Sequence, residues 1–148
     1  GKSEGVFDDG EGELSDAASV LDWLQQYNTN SKIVWVAGFS FGAWVAMQLL
    51  MRRPEIEGFI SISPPANMYD FNFLAPCPSS GIILHGEDDK VVPKDDILRL
   101  VEKLQTQRNI NIDYKNIAGA NHFFENKTEK LINEVSKYLD SRLIGPDF

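Results

Sequence analysis

The chain is poor in most of the features that bind polyanions, metals or membranes. Basic side chains are in deficit: 14 Lys and Arg stand against 22 Asp and Glu, a formal charge of −8. Affinity for nucleic acid comes largely from Lys and Arg neutralising phosphates, so this balance argues against a nucleic-acid partner. It argues equally against an anionic membrane surface. A single cysteine, Cys77, leaves no intrachain disulfide and no cysteine-based zinc site. Two histidines, His85 and His122, are too few for a His-rich metal cluster. No apolar run approaches the roughly 20 residues that cross a bilayer. The expectation is an acidic domain of a reducing compartment, cytoplasmic, without a metal.

What is present is core. Of 148 residues 43% are hydrophobic, which at this length suffices for one domain burying roughly 68–70% of its unfolded surface. Residues 1–14 are acidic and glycine-rich and read as loop. Ser15 is a candidate N-cap for a helix whose apolar face is Ala17, Val20, Leu21, Leu24 and Tyr27. Ile33–Ala37 is a continuous, largely β-branched run, the mark of a strand buried on both faces of a parallel sheet. Gly38 ends it, and Phe41–Arg52 follow as a helix apolar nearly all round, hence deeply buried.

Further strands are expected over Gly58–Ser63 and Gly81–His85, with an irregular surface excursion over 66–80 between them. Pro93 suits the first turn of a helix carrying Ile97, Leu98, Val101 and Leu104. Ile110, Ile112 and Tyr114 alternate as in an edge strand, and a last helix spans Phe124 to Leu143 before Gly145-Pro146. Strands alternating with helices predict a three-layer α/β/α sandwich on a mostly parallel sheet of about four strands.

Sheets of this kind carry their chemistry in loops beyond the C-terminal ends of the strands. The first such loop is Gly38-Phe39-Ser40-Phe41-Gly42, between a buried strand and a buried helix. A sharp strand-to-helix turn lifts Ser40 above the sheet and points a helix N-terminus at whatever reacts there; side chains at Gly38 or Gly42 are expected to collide with their neighbours. The second is His85-Gly86-Glu87-Asp88-Asp89-Lys90-Val91-Val92-Pro93, where Asp88 or Asp89 could orient an imidazole. The third is Gly119-Ala120-Asn121-His122-Phe123-Phe124, which places a histidine where it could reach across to Ser40.

Together these motifs resemble the C-terminal part of an α/β-hydrolase, close to the small lidless dienelactone-hydrolase-like and carboxylesterase-like members. Their chain order is the Ser…Asp…His of that fold. In the resembling His-Gly-x-x-Asp-x-x-Val-Pro pattern the acid lies four residues after the histidine, which selects Asp89; His85 is left as a strand-end residue bonded to backbone. The resemblance implies Ser40 as nucleophile, His122 as general base and then acid, Asp89 as its partner, and the Phe41 backbone N–H as an oxyanion donor. It implies a small-molecule ester or related acyl substrate and no cofactor. A serine peptidase, or a non-catalytic binding protein, would carry the same residues. Phe39 and Phe41 beside Ser40, and Phe123 and Phe124 beside His122, could line the substrate site or equally belong to the core; Phe39 and Phe123 are the substrate-binding candidates, and residues 66–80 could rim the site.

Family members have about eight strands, and this chain supplies four. The resemblance therefore implies a domain incomplete at its N-terminus, without the loop that donates the second oxyanion N–H. It also implies an exposed strand edge near Val34, open to self-association or to another chain. Gly1-Lys2-Ser3 mimics the end of a phosphate-binding loop but lacks the upstream glycine and the preceding strand. Cys77, between two prolines, is expected to be a packed, idle thiol.

Overall fold

A computed structural model of the chain describes residues 2–143. Strands β1 (Val34–Phe39), β2 (Ile56–Ile62), β3 (Gly81–Gly86) and β4 (Ile112–Ile117) form one sheet in the order β1-β2-β3-β4, every neighbouring pair parallel. The helices are α1 (Glu11–Tyr27), α2 (Phe41–Arg52), α3 (Lys94–Gln105) and α4 (Thr128–Leu143). Side chains alternate across the sheet. Phe59 and Ile83 enter one core with Leu21 of α1, Met47 and Leu50 of α2, and Ile97 and Leu104 of α3. Ile60, Ile82, Leu84 and Ile117 enter a second core closed by Leu131, Val135 and Tyr138 of α4. The result is the three-layer α/β/α sandwich.

β3 is buried along its whole length, as a central strand reading Gly-Ile-Ile-Leu-His-Gly should be. α2 packs on β1 and β2. Its Met47 and Leu50 are almost fully buried, each contributing about 1.5–3 kcal/mol of apolar burial.

β1 departs from expectation. Val34, Trp35 and Val36 are half-buried and Ala37 is exposed. The strand has β2 on one side only, and α1 covers one face of it incompletely. Leu21 of α1 is buried, whereas Val20, Trp23, Leu24 and Tyr27 are exposed.

Several boundaries differ from the sequence reading; β1 runs on through Gly38 to Phe39, and β2 starts at Ile56 instead of Gly58. α1 starts four residues before Ser15, because Gly10 is the N-cap at φ 99° and the Glu13 carboxylate accepts its N–H at 2.9 Å and that of Asp8 at 3.0 Å. Those backbone donors, Asp8 first, hold the Glu13 carboxyl below the ordinary carboxylate range. α4 starts at Thr128 and not at Phe124, since Phe124 and Asn126 have φ of 54° and 56°, incompatible with a right-handed helix. β4 begins and ends later than the alternation suggested, its register being set by Gly81↔Ile112 to Gly86↔Ile117. Segment 66–80 is only partly a surface excursion: Phe71, Leu74 and Cys77 are core, Asn72–Leu74 forms a 3-10 turn, and the Tyr69 ring packs tilted against Trp44 with centroids 4.5 Å apart. The expected stop at Gly145-Pro146 lies outside the described residues.

Candidate active site

The β1–α2 junction is one residue wide. Ser40 sits at φ 51°, ψ −123°, a region costing a non-glycine residue about 1–3 kcal/mol. It is held there from both sides: its N–H donates to Ile62 O of β2 at 2.8 Å, and its carbonyl accepts Ala43 N–H at 2.8 Å. A Cβ on Gly38 would lie 2.3 Å from Gly42 O and 2.6 Å from Ala43 Cα, so the turn closes only over glycine. Gly42 differs from expectation, because a Cβ there meets nothing within 4 Å. The demand for a small flank is on the strand side alone.

At the last residue of β3, Gly86 passes so close to the histidine loop that a Cβ would meet Ala120 O at 2.4 Å and Asn121 O at 2.7 Å. The two loops are then laced together. Glu87 N–H donates to Ile117 O at 3.0 Å, Asp88 N–H to Ala120 O at 2.9 Å, and Gly119 N–H to the Glu87 carboxylate at 3.0 Å. Asp88 is exposed and Asp89 is 8% exposed. Asp89 Oδ1 accepts the N–H groups of Val91 at 2.8 Å and Val92 at 2.9 Å, leaving Oδ2 directed inward.

Three residues far apart in sequence meet at this edge. His122, 4% exposed, has Nδ1 2.8 Å from Asp89 Oδ2 and Nε2 2.9 Å from Ser40 Oγ. A carboxylate only accepts, so Nδ1 carries the proton. The bare Nε2 then accepts the Ser40 hydroxyl proton. Phe41 opens α2, and amides of a helix's first turn have no acceptor within the helix; its N–H, beside Ser40, donates to no backbone acceptor among the described residues.

Phe39 and Phe123 form an exposed aromatic pair around His122, with ring centroids 5.2 and 5.1 Å from the imidazole and 6.0 Å from each other. On the other flank of Ser40, Phe41 packs at 5.9 Å from Trp44 and 5.7 Å from Tyr69. Among the described residues no group of three His, Cys, Asp or Glu side chains is placed to hold a metal ion. No described helix is long and apolar enough to cross a membrane. Cys77 is buried, its thiol 3.4 Å from Ser79 O, and burial pushes that thiol up.

Sequence reasoning missed two supports. One is Gly86, for which only the strand-end position was a signal. The other is Ser63, fully buried at φ 47° at the end of β2, whose N–H donates to Leu84 O at 2.8 Å.

The sequence profile of the X-Pro dipeptidyl-peptidase (S15) family matches residues 1–136. The chain is 54% identical over 143 residues to an uncharacterized protein of Rickettsia prowazekii, covering 94% of this chain and 60% of that protein. A crystal structure of a protein of unknown function from Agrobacterium tumefaciens is 61% identical with a TM-score of 0.95, over 99% of this chain and 67% of that one. A serine hydrolase without a lid from Xanthomonas campestris is 29% identical with a TM-score of 0.84, over all of this chain and 64% of that one. The chain thus spans about two thirds or less of these relatives' lengths. With a parallel sheet of this order and a profile match over nearly its whole length, the chain belongs to the S15 family of α/β hydrolases.

Proposed function

We propose that the chain carries the catalytic residues of a serine hydrolase cleaving a small carboxylic ester or related acyl compound through an acyl-enzyme on Ser40. The observation that carries this reading is the continuous chain Ser40 Oγ–His122 Nε2/Nδ1–Asp89 Oδ2, with links of 2.9 and 2.8 Å. In the proposed reaction Ser40 Oγ attacks the acyl carbon while its proton passes to His122 Nε2. The imidazolium is stabilised by Asp89 through the Nδ1–H bond. The negative oxygen that develops is met by the Phe41 N–H. Collapse expels the alcohol, which takes the proton from Nε2, and the acyl group stays on Oγ. Water then attacks with His122 again as base, releasing the acid and restoring the serine.

Phe39 and Phe123 would seat an apolar part of the substrate beside His122, and their exposure suits a small, accessible ester. The family's description names a peptidase, and amide cleavage would use the same residues. A panel of p-nitrophenyl esters against X-Pro anilides separates the two. Ester turnover that disappears in Ser40→Ala supports the proposal; anilide turnover alone moves it to the peptidase, and turnover that survives in Ser40→Ala defeats both. A cytoplasmic setting accords with the unpaired, buried thiol of the one cysteine.

A further inference from the structure

Behind the candidate acid lies a second histidine that the proposed reaction does not use. His85, at the end of β3, is fully buried. Its Nε2 is 3.0 Å from Val92 O and 3.4 Å from Asp89 Oδ2. A carbonyl only accepts, so Nε2 carries the proton. The other ring nitrogen, Nδ1, is buried with no hydrogen-bond partner among the described residues. This nitrogen decides the charge of the ring: a bare lone pair there carries the smaller penalty of a neutral unsatisfied acceptor, whereas an N–H would be a buried donor of a charged group without an acceptor.

We propose that His85 is a positioning residue for Asp89, a neutral Nε2–H clamp that fixes the 89–92 turn through the Val92 carbonyl and thereby aims Oδ2 at His122. The logic is that of two ends held at once. The Asp89 side chain reaches into its own turn, with Oδ1 taking the N–H groups of Val91 and Val92. The turn in turn has to be attached to the sheet, and His85 supplies that attachment from the strand, seven residues before Val92. The same N–H points its positive end near Oδ2, adding to the field that holds the carboxylate's position.

The charged and titratable groups that act electrostatically on the ring are Asp89 from the loop after β3, His122 from the loop after β4 and the exposed Lys94 at the start of α3. Burial lowers the His85 pKa, outweighing the opposing pull of the Val92 carbonyl and Asp89. The ring therefore stays neutral beside a carboxylate whose charge is left for His122. This rests on the reading of Ser40, Asp89 and His122 given above.

The test compares His85→Leu, His85→Gln and His85→Asn in the full chain. The amide nitrogen of glutamine reproduces a donor near the Nε2 position; that of asparagine falls near Nδ1. Two readouts are taken: the rate of Ser40 modification by a fluorophosphonate, and the NMR signal of the His122 Nδ1 proton, which reports its bond to Asp89 without any turnover. The Leu and Asn variants should react on the order of 10-fold more slowly, within the roughly 10²-fold that a 1 Å misplacement costs. Their His122 Nδ1 proton should move upfield and broaden, and the Gln variant should recover both readouts.

Equal losses in all three variants would overturn the proposal, because packing and not the Nε2 donor would then matter. An unchanged proton signal in His85→Leu would overturn it as well. Should His85→Leu fail to fold, the Gln-against-Asn contrast decides, together with 15N spectra of the wild-type ring. A His85 ring protonated on Nδ1 at neutral pH contradicts the proposal. Absence of fluorophosphonate reaction in the wild type, with the His122 signal still dependent on residue 85, would sink the hydrolase reading and leave this one standing.

Discussion

Replacing Asp89 by asparagine changes one atom and, by the geometry, the tautomer of His122. Asp89 Oδ1 holds the N–H groups of Val91 and Val92 at 2.8 and 2.9 Å. In Asp89→Asn the amide oxygen has to stay on those two donors, since an NH₂ turned towards them would face donors with a donor. The NH₂ therefore takes the place of Oδ2, 2.8 Å from His122 Nδ1. It can only donate, so Nδ1 loses its proton and Nε2 gains one. The ring then presents an N–H to Ser40 Oγ and cannot take the hydroxyl proton. The loss of transition-state stabilisation should be about 10⁴-fold, the drop that this exchange causes in a comparable serine hydrolase through the same wrong tautomer. The fold should survive, with about 1–2 kcal/mol lost from weakened hydrogen bonds to a formerly charged acceptor. The assay is the second-order rate of fluorophosphonate inactivation, paired with denaturant unfolding to show that the variant is folded. A folded variant reacting within about 10-fold of wild type would show that Asp89 does not set the tautomer of His122.

Three further outcomes follow from the same structure. Gly38→Ala should destabilise by about 1–3 kcal/mol, since its Cβ would strike backbone atoms that cannot rotate away, whereas Gly42→Ala should stay within about 0.5 kcal/mol; paired urea titrations read the difference. The buried His85 resists a proton that the unfolded chain accepts near its ordinary value of 6.5. More protons are then bound to the unfolded state, so stability should fall as pH drops below that value, by at most about 1.4 kcal/mol per pH unit, and His85→Gln should flatten that stretch of the pH–stability curve. Cys77 should react with a maleimide far more slowly than a free thiol at neutral pH and reach full reactivity only on unfolding, as burial both covers the sulfur and disfavours its thiolate.

The fold was legible where local pattern and tertiary environment coincide. The continuous apolar run of Gly81–His85 becomes the fully buried β3, and the all-round apolar Phe41–Arg52 becomes α2 with Met47 and Leu50 in the core. Loop chemistry at strand ends brought Ser40, Asp89 and His122 into consideration, because a parallel sheet gathers those loops at one edge. What the sequence hid was set by contacts between distant segments. The cap of α1 at Gly10 depends on Glu13 reaching back and on Trp44 filling the space that a Cβ would need. The left-handed Phe124 keeps its ring buried in the α4 core and delays that helix. Burial of Phe71 and Leu74 depends on where α2 and α3 lie, which no local pattern in 66–80 reveals. The reading of Gly38 and Gly42 as equivalent flanks failed for a similar reason: the collision is with the backbone of α2, and only the strand side faces it.

Everything proposed for this site depends on Ser40 being a nucleophile activated by His122. The most direct test is intact-mass analysis of the chain after treatment with a fluorophosphonate, followed by peptide mapping of the adduct. One added phosphonyl group is expected, on Ser40, with no adduct in Ser40→Ala and a greatly slowed one in His122→Ala. A folded wild-type chain that takes up no label, or that carries it on any residue other than Ser40, would contradict it.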